Sequence, residues 1–125
     1  LMGCEDAWLF RRLHGAGHQI RWAAGAIVRE WLPPERLHPR WLVRRAFRVG
    51  NTTARVECDL HPGLSRRLAL LGRAGLWSGL ALLRLPLALV AGSAGWIHCR
   101  RAATYSAGLI AGVFGHRHEA YRHEG

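Results

Sequence analysis

Lysine is absent from this 125-residue chain: all 18 of its basic side chains are arginine. Acid is scarce too, with eight carboxylates and only two aspartates, Asp6 and Asp59, so the formal net charge is +10. The arginine-for-lysine skew follows a GC-rich coding bias and says little about function. The positive balance favours anionic partners: phosphates, nucleic acid or an acidic membrane surface. Cysteine is limited to Cys4, Cys58 and Cys99, an odd number, far apart and without a C-x-x-C pair. That spacing argues against a disulfide framework or a zinc site and makes a reducing compartment the default. The first apolar residues are interrupted by Glu5, Asp6, Arg11 and Arg12, so no secretory signal peptide is expected. No helix-turn-helix, RRM or zinc-finger signature is present, and nucleic acid is not an expected partner.

What is present amounts to about one small domain. Hydrophobic residues make up 50% and charged residues 21%, which fits neither a disordered tail nor an ordinary multi-span membrane protein. Residues 6 to 14 carry Leu9, Phe10 and Leu13 at helical spacing, with Arg11 and Arg12 on another face. Glu5 and Asp6 stand at the positive end of that helix, and Gly15 and Gly17 mark its stop. The alternation of Ile20 and Trp22, followed by the pair Ile27 and Val28, predicts one or two short strands bounded by Gly25 and Pro33-Pro34. From Pro39 to about Val56 a helix is expected, with Gly50-Asn51 as a possible kink or break. Residues 57 to 65 read as a loop.

Composition shifts near residue 62, which predicts a division into residues 1–61 and 62–125. From Leu68 to Cys99 the chain is almost wholly apolar, long enough to span a bilayer on length alone. Arg73 and Arg84 lie inside the run and Pro86 breaks it. A central Arg costs on the order of 2.5 to 3.5 kcal/mol on insertion scales, which disfavours a straight span through Arg84. Arg66-Arg67 before the run and Arg100-Arg101 after it suit a hairpin or interfacial helix pair with both ends cytoplasmic. A second apolar piece, residues 103 to 115, is expected to lie at the interface or against the first.

Gly3, Glu5, Asp6, Leu9, Arg12, Leu13 and Gly17, with Cys4 between Gly3 and Glu5, resemble the late active-site motif of family 2 glycosyltransferases. The passage Val28, Glu30, Pro33 and Arg36, then Trp41 to Asn51 in the pattern W-L-x-R-R-x-F-R-x-G-N, continues that resemblance, as does the Arg-punctuated apolar tail of members that build exopolysaccharide. The resemblance implies an α+β, mostly helical fragment: the C-terminal portion of a GT-A (Rossmann-like α/β) domain followed by an apolar helical hairpin. It also implies that catalysis needs an N-terminal half carrying the nucleotide-binding units and a D-x-D metal motif. No D-x-D occurs here. A nucleotide-sugar donor and a divalent ion (Mg or Mn) are therefore expected in the full enzyme, with ligands outside this chain. The acceptor is expected to be a lipid-linked or cell-surface glycan, at the cytoplasmic face of a bacterial inner membrane.

Inverting transfer requires a base to take the acceptor hydroxyl's proton, and a carboxylate at a helix start suits that task. By the family pattern the base is Asp6, with Glu5 orienting or binding the acceptor; the alternative is a pair that only complements the helix dipole. Arg36, Arg40, Arg44, Arg45 and Arg48 recur near helical spacing beside Trp41 and Phe47. Guanidinium forks pair bidentately with phosphate oxygens. The resemblance singles out Arg44, Arg45 and Arg48, with Trp41, as phosphate or acceptor binders, against the alternative of a solvated or membrane-facing basic surface. Glu30 is expected to pair with this Arg helix or to be structural. The sequence Gln19 to Trp22 only mimics the Q-x-x-R-W of processive relatives. His116, His118 and His123 with Glu119 read as a polar tail, not a metal site. The reading from a different class is a small non-enzymatic basic protein that binds anionic membrane lipid.

Overall fold

A computed structural model describes residues 5–116. Among the described residues there are four α-helices: α1 (Glu5–Gly15), α2 (Pro39–Leu60), α3 (Leu64–Leu83) and α4 (Leu85–Val113), with a short 3-10 helix (Pro34–Leu37) before α2.

The C-terminal stop of α1 forms where glycine permits it. Gly17 adopts φ +85°, and the His18 amide donates to the Leu13 carbonyl at 3.0 Å, closing the last turn. The start of α2 is equally local. The His38 imidazole Nδ1 accepts from the Arg40 amide at 3.2 Å, and Pro39 occupies the first turn, where no amide hydrogen is needed.

Between α1 and the 3-10 helix the structure departs from the sequence expectation. Residues 18–33 form no strand, and there is no strand anywhere among the described residues, so the α+β expectation is corrected to all-α for this region. A strand needs a neighbour for its backbone amides and carbonyls, and a lone hairpin is marginal in water. Here Trp22 is 93% exposed, and Ile20, Ile27 and Val28 stand open to solvent as well. Two further corrections concern α2. It runs unbroken through Gly50-Asn51, and it takes in Glu57 to Leu60, which read as loop.

Gly50 is a contact, not a breaker. α2 packs most extensively against α4, and the crossing is made of small residues. A Cβ at Gly50 would overlap the Tyr105 carbonyl and lie 3.0 Å from the Leu109 amide nitrogen. One at Gly108 would overlap the Phe47 carbonyl, and one at Gly112 would meet the Asn51 carbonyl and lie 2.7 Å from the Ala54 Cβ. Gly108 and Gly112 are the ends of a G-x-x-x-G, the spacing that lets helix backbones touch. Around this crossing the core draws Ala54 from α2, Leu70 and Ala74 from α3, and Leu109 and Val113 from α4. Two buried polar side chains there are paired. Asn51 Nδ2 donates to the His116 carbonyl at 3.0 Å, and Ser106 Oγ donates to the Ala74 carbonyl at 2.7 Å.

α4 is two helical pieces. Gly92 has φ +63° and ψ −143°, outside helical geometry and in a region that favours glycine. In an unbroken helix, residues seven apart are separated by about 10 Å. Here a Cβ at Gly95 would stand only 3.2 Å from the Ala88 Cβ, so residues 85–91 fold back on the start of 93–113. Together with the 84° bend between α3 and α4 at Arg84, this makes a tip of short helical segments. Among the described residues no single helix is long and apolar enough to cross a membrane; α3 and α4 pass that test only as a bent pair.

Candidate functional site

The carboxylate pair opens α1, and Asp6 is exposed on its first turn, where the free amides of the helix end favour negative charge. Gly3 and Cys4 of the same motif lie outside the described residues, as do His118, Glu119 and His123 of the tail. α1 is tied to the body through Arg11, which pairs with the Glu57 carboxylate; Arg66 of α3 pairs with the other oxygen of the same group. Glu57 is only 7% exposed, so α1, α2 and α3 share one nearly buried anion. That anchor holds the Arg11 guanidinium nine residues beyond Arg48 on α2, about 13 Å along the helix axis. Among the described residues Asp6 forms no ion pair with Arg44, Arg45 or Arg48.

On that face, Arg45 stacks over the Trp41 ring, its Cζ 5.2 Å from the ring centroid. Such stacking orients a guanidinium while leaving its edge free for hydrogen bonds. Arg44 is exposed and Arg48 half-buried. Glu30 pairs at 3.2 Å with Arg36 of the 3-10 helix, outside α2, so the expectation that it braces the Arg helix is met only by its nearest neighbour.

One concavity among the described residues was not foreseen as a unit. A groove of about 530 Å³ is lined by Leu42 and Val49 of α2, Trp77 of α3 and Tyr105 of α4. Trp77 and Tyr105 meet edge to face with centroids 5.5 Å apart, which holds both rings in place. Four cationic or titratable side chains converge on this apolar bed: Arg45 from α2, Arg84 from the α3–α4 bend, and His98 and Arg101 from α4. Arg44 and Arg48 are not part of its lining. Arg84 and His98 also border a second, more apolar hollow of about 360 Å³ under residues 87–99. The signal that pointed to these residues was an arginine inside an apolar run. It read as membrane topology because the turn at Gly92 is what aligns them.

Among the described residues no group of three or more His, Cys, Asp or Glu side chains is placed to hold a metal ion. The divalent ion implied by the resemblance does not fit these residues.

No protein-family profile matches the chain, and no solved structure matches it. The chain is similar to the succinoglycan biosynthesis protein ExoM of Rhizobium meliloti (strain 1021), with 35% identity over 89 residues. The matched stretch is 69% of this chain and 29% of that protein.

Proposed function

We propose that this chain supplies the acceptor side of a glycosyltransferase that builds exopolysaccharide or a related cell-surface glycan. The observation that carries the reading is the 35% identity over 89 residues to a succinoglycan biosynthesis protein. The motif series from Gly3 to Asn51, in family 2 order, supports the same reaction class. In this reading residues 1–61 complete a catalytic domain and residues 62–125 hold it at the cytoplasmic face of the membrane. The nucleotide-sugar and its divalent ion are held by another part of a longer protein.

Asp6 is the base. Its carboxylate takes the proton of the acceptor hydroxyl as that oxygen attacks the anomeric carbon opposite the leaving nucleoside diphosphate, which inverts the configuration. Glu5 orients the acceptor. Arg44, Arg45 and Arg48, with Trp41, receive acceptor phosphate. The test uses the reading frame that carries this chain, with release of nucleoside diphosphate measured over a panel of nucleotide-sugars and membrane lipid extract. Asp6→Asn is expected to lower turnover by 10²-fold or more, the usual range for a lost general base, with donor binding retained. Unchanged turnover would make the pair a helix-end charge only.

A further inference from the structure

We propose that the groove between α2 and α4 is a site for the phosphate headgroup of an anionic bilayer phospholipid, and that the tip around Arg84 is the element that enters the membrane interface. The proposal goes beyond sugar transfer and does not depend on it.

Three features converge. The first is charge. Arg45, Arg84 and Arg101 reach one groove from three separate stretches of chain, and no Asp or Glu occurs anywhere between Asp59 and Glu119. No carboxylate lines the groove to offset those guanidinium groups, whose forked donors match phosphate oxygens. The second is the adjoining hollow. Arg84 and His98 border both cavities, so a headgroup held by the arginines of the groove is next to a hollow lined by Leu87, Ala88, Ala91 and Gly95, a bed for the start of an acyl chain. The third is the tip itself. Leu82, Leu83, Leu87, Leu89 and Val90 are each at least 66% exposed within nine residues. Soluble surfaces rarely leave so many large apolar side chains together in water. With arginines behind them, they have the make-up of an interfacial element on an acidic membrane: apolar face in the acyl boundary, cations at headgroup depth. A soluble phosphate would explain the arginines but not the leucines. A second copy of this strongly basic chain would cover the leucines but bring like charge against like.

The experiment is flotation of the 125-residue chain with vesicles, either pure phosphatidylcholine or three parts phosphatidylcholine to one part phosphatidylglycerol. Binding is expected only to the second. Arg84→Gln with Arg101→Gln should weaken it about 20-fold or more, taking roughly five-fold per interfacial arginine. The control Arg21→Gln with Arg29→Gln removes the same charge from the exposed 18–33 segment and should change binding less than three-fold. Arg45 is left intact because it also belongs to the acceptor face. Leu83→Ser with Leu87→Ser should leave a weak, salt-sensitive attachment. Equal losses for groove and control variants would reduce the site to bulk charge and overturn the proposal. Binding abolished by inorganic phosphate but indifferent to the leucines would make it a soluble-anion site. Self-association of the lipid-free chain that is lost in the leucine variant would assign the tip to a second copy. Should the variants not fold, hydrogen exchange on the unaltered chain decides. Vesicle-dependent protection must concentrate in residues 80–91 and 98–105, and protection elsewhere refutes the site.

Discussion

Replacing Gly108 by alanine is the sharpest test of how this fold is held together. In an exposed helix interior the change stabilises by up to about 1 kcal/mol, because alanine has the better helix propensity. At Gly108 a new methyl would lie 2.9 Å from the Asn51 amide nitrogen and 3.0 Å from the Phe47 carbonyl carbon, with the Phe47 oxygen closer still. Relaxed contact between such atoms is at roughly 3.5–4.0 Å, so the helices must part by about 1 Å or more. The obstacle is backbone inside α2 and cannot rotate away. Overpacking of this kind costs typically 1–3 kcal/mol, and a rigid obstacle places it at the upper end. Net of the propensity gain, Gly108→Ala should destabilise by about 2 kcal/mol, or about 1 M in urea midpoint for a slope near 2 kcal/mol/M. Far-UV circular dichroism during urea unfolding reads this directly. Gly79→Ala is the control: it sits in α3 with nothing within 4 Å of the added methyl and should raise the midpoint slightly. If both variants moved the midpoint in the same direction, the close α2–α4 crossing would be wrong.

Two further substitutions test the polar contacts. Glu57→Gln takes the shared anion from Arg11 and Arg66; since those arginines are 44% and 42% exposed, the loss should be only about 1–2 kcal/mol, and amide exchange in α1 should speed up while that of α4 does not. Ser106→Ala removes the hydroxyl that donates to Ala74 and stands 2.7 Å from Ser78 Oγ, so urea unfolding should report a loss of about 1 kcal/mol, whereas Ser78→Ala, which leaves the bond to Ala74 intact, should cost less.

The parts legible in the sequence are those decided by neighbours along the chain. The start of α2 follows from His38-Pro39, its amphipathic run from Trp41 onward follows from the spacing, and the end of α1 follows from Gly17. The absence of strands at 20–28 was not legible, because alternation reports a side-chain pattern while a strand also needs a partner. Gly50 misled for a related reason: a helical glycine looks like a breaker until the backbone opposite it is known. The G-x-x-x-G at Gly108 and Gly112 was visible in principle, yet it lay in a stretch read only for its apolar composition. The Asp6 motif is a different case. It was legible as a resemblance, and the exposed start of α1 is compatible with it without adding a partner to that carboxylate.

The arginines of the apolar run tie fold to site most closely. As one straight rod, α3 and α4 would reach about 75 Å, more than twice a bilayer's hydrocarbon core, with Arg84 and Arg101 inside it. The bend at Arg84 and the reversal at Gly92 convert that rod into a tip, and return Arg101 to the flank of α2 opposite Arg45. Tyr105 then serves both structures: its carbonyl receives Gly50 at the tight crossing, and its ring lines the groove one turn away. The groove's width is therefore set by how closely Gly50 and Gly108 let α2 and α4 approach. A methyl that parts the helices also draws Arg45 away from Arg101, so the contact that stabilises the fold is the same one that assembles its cationic site.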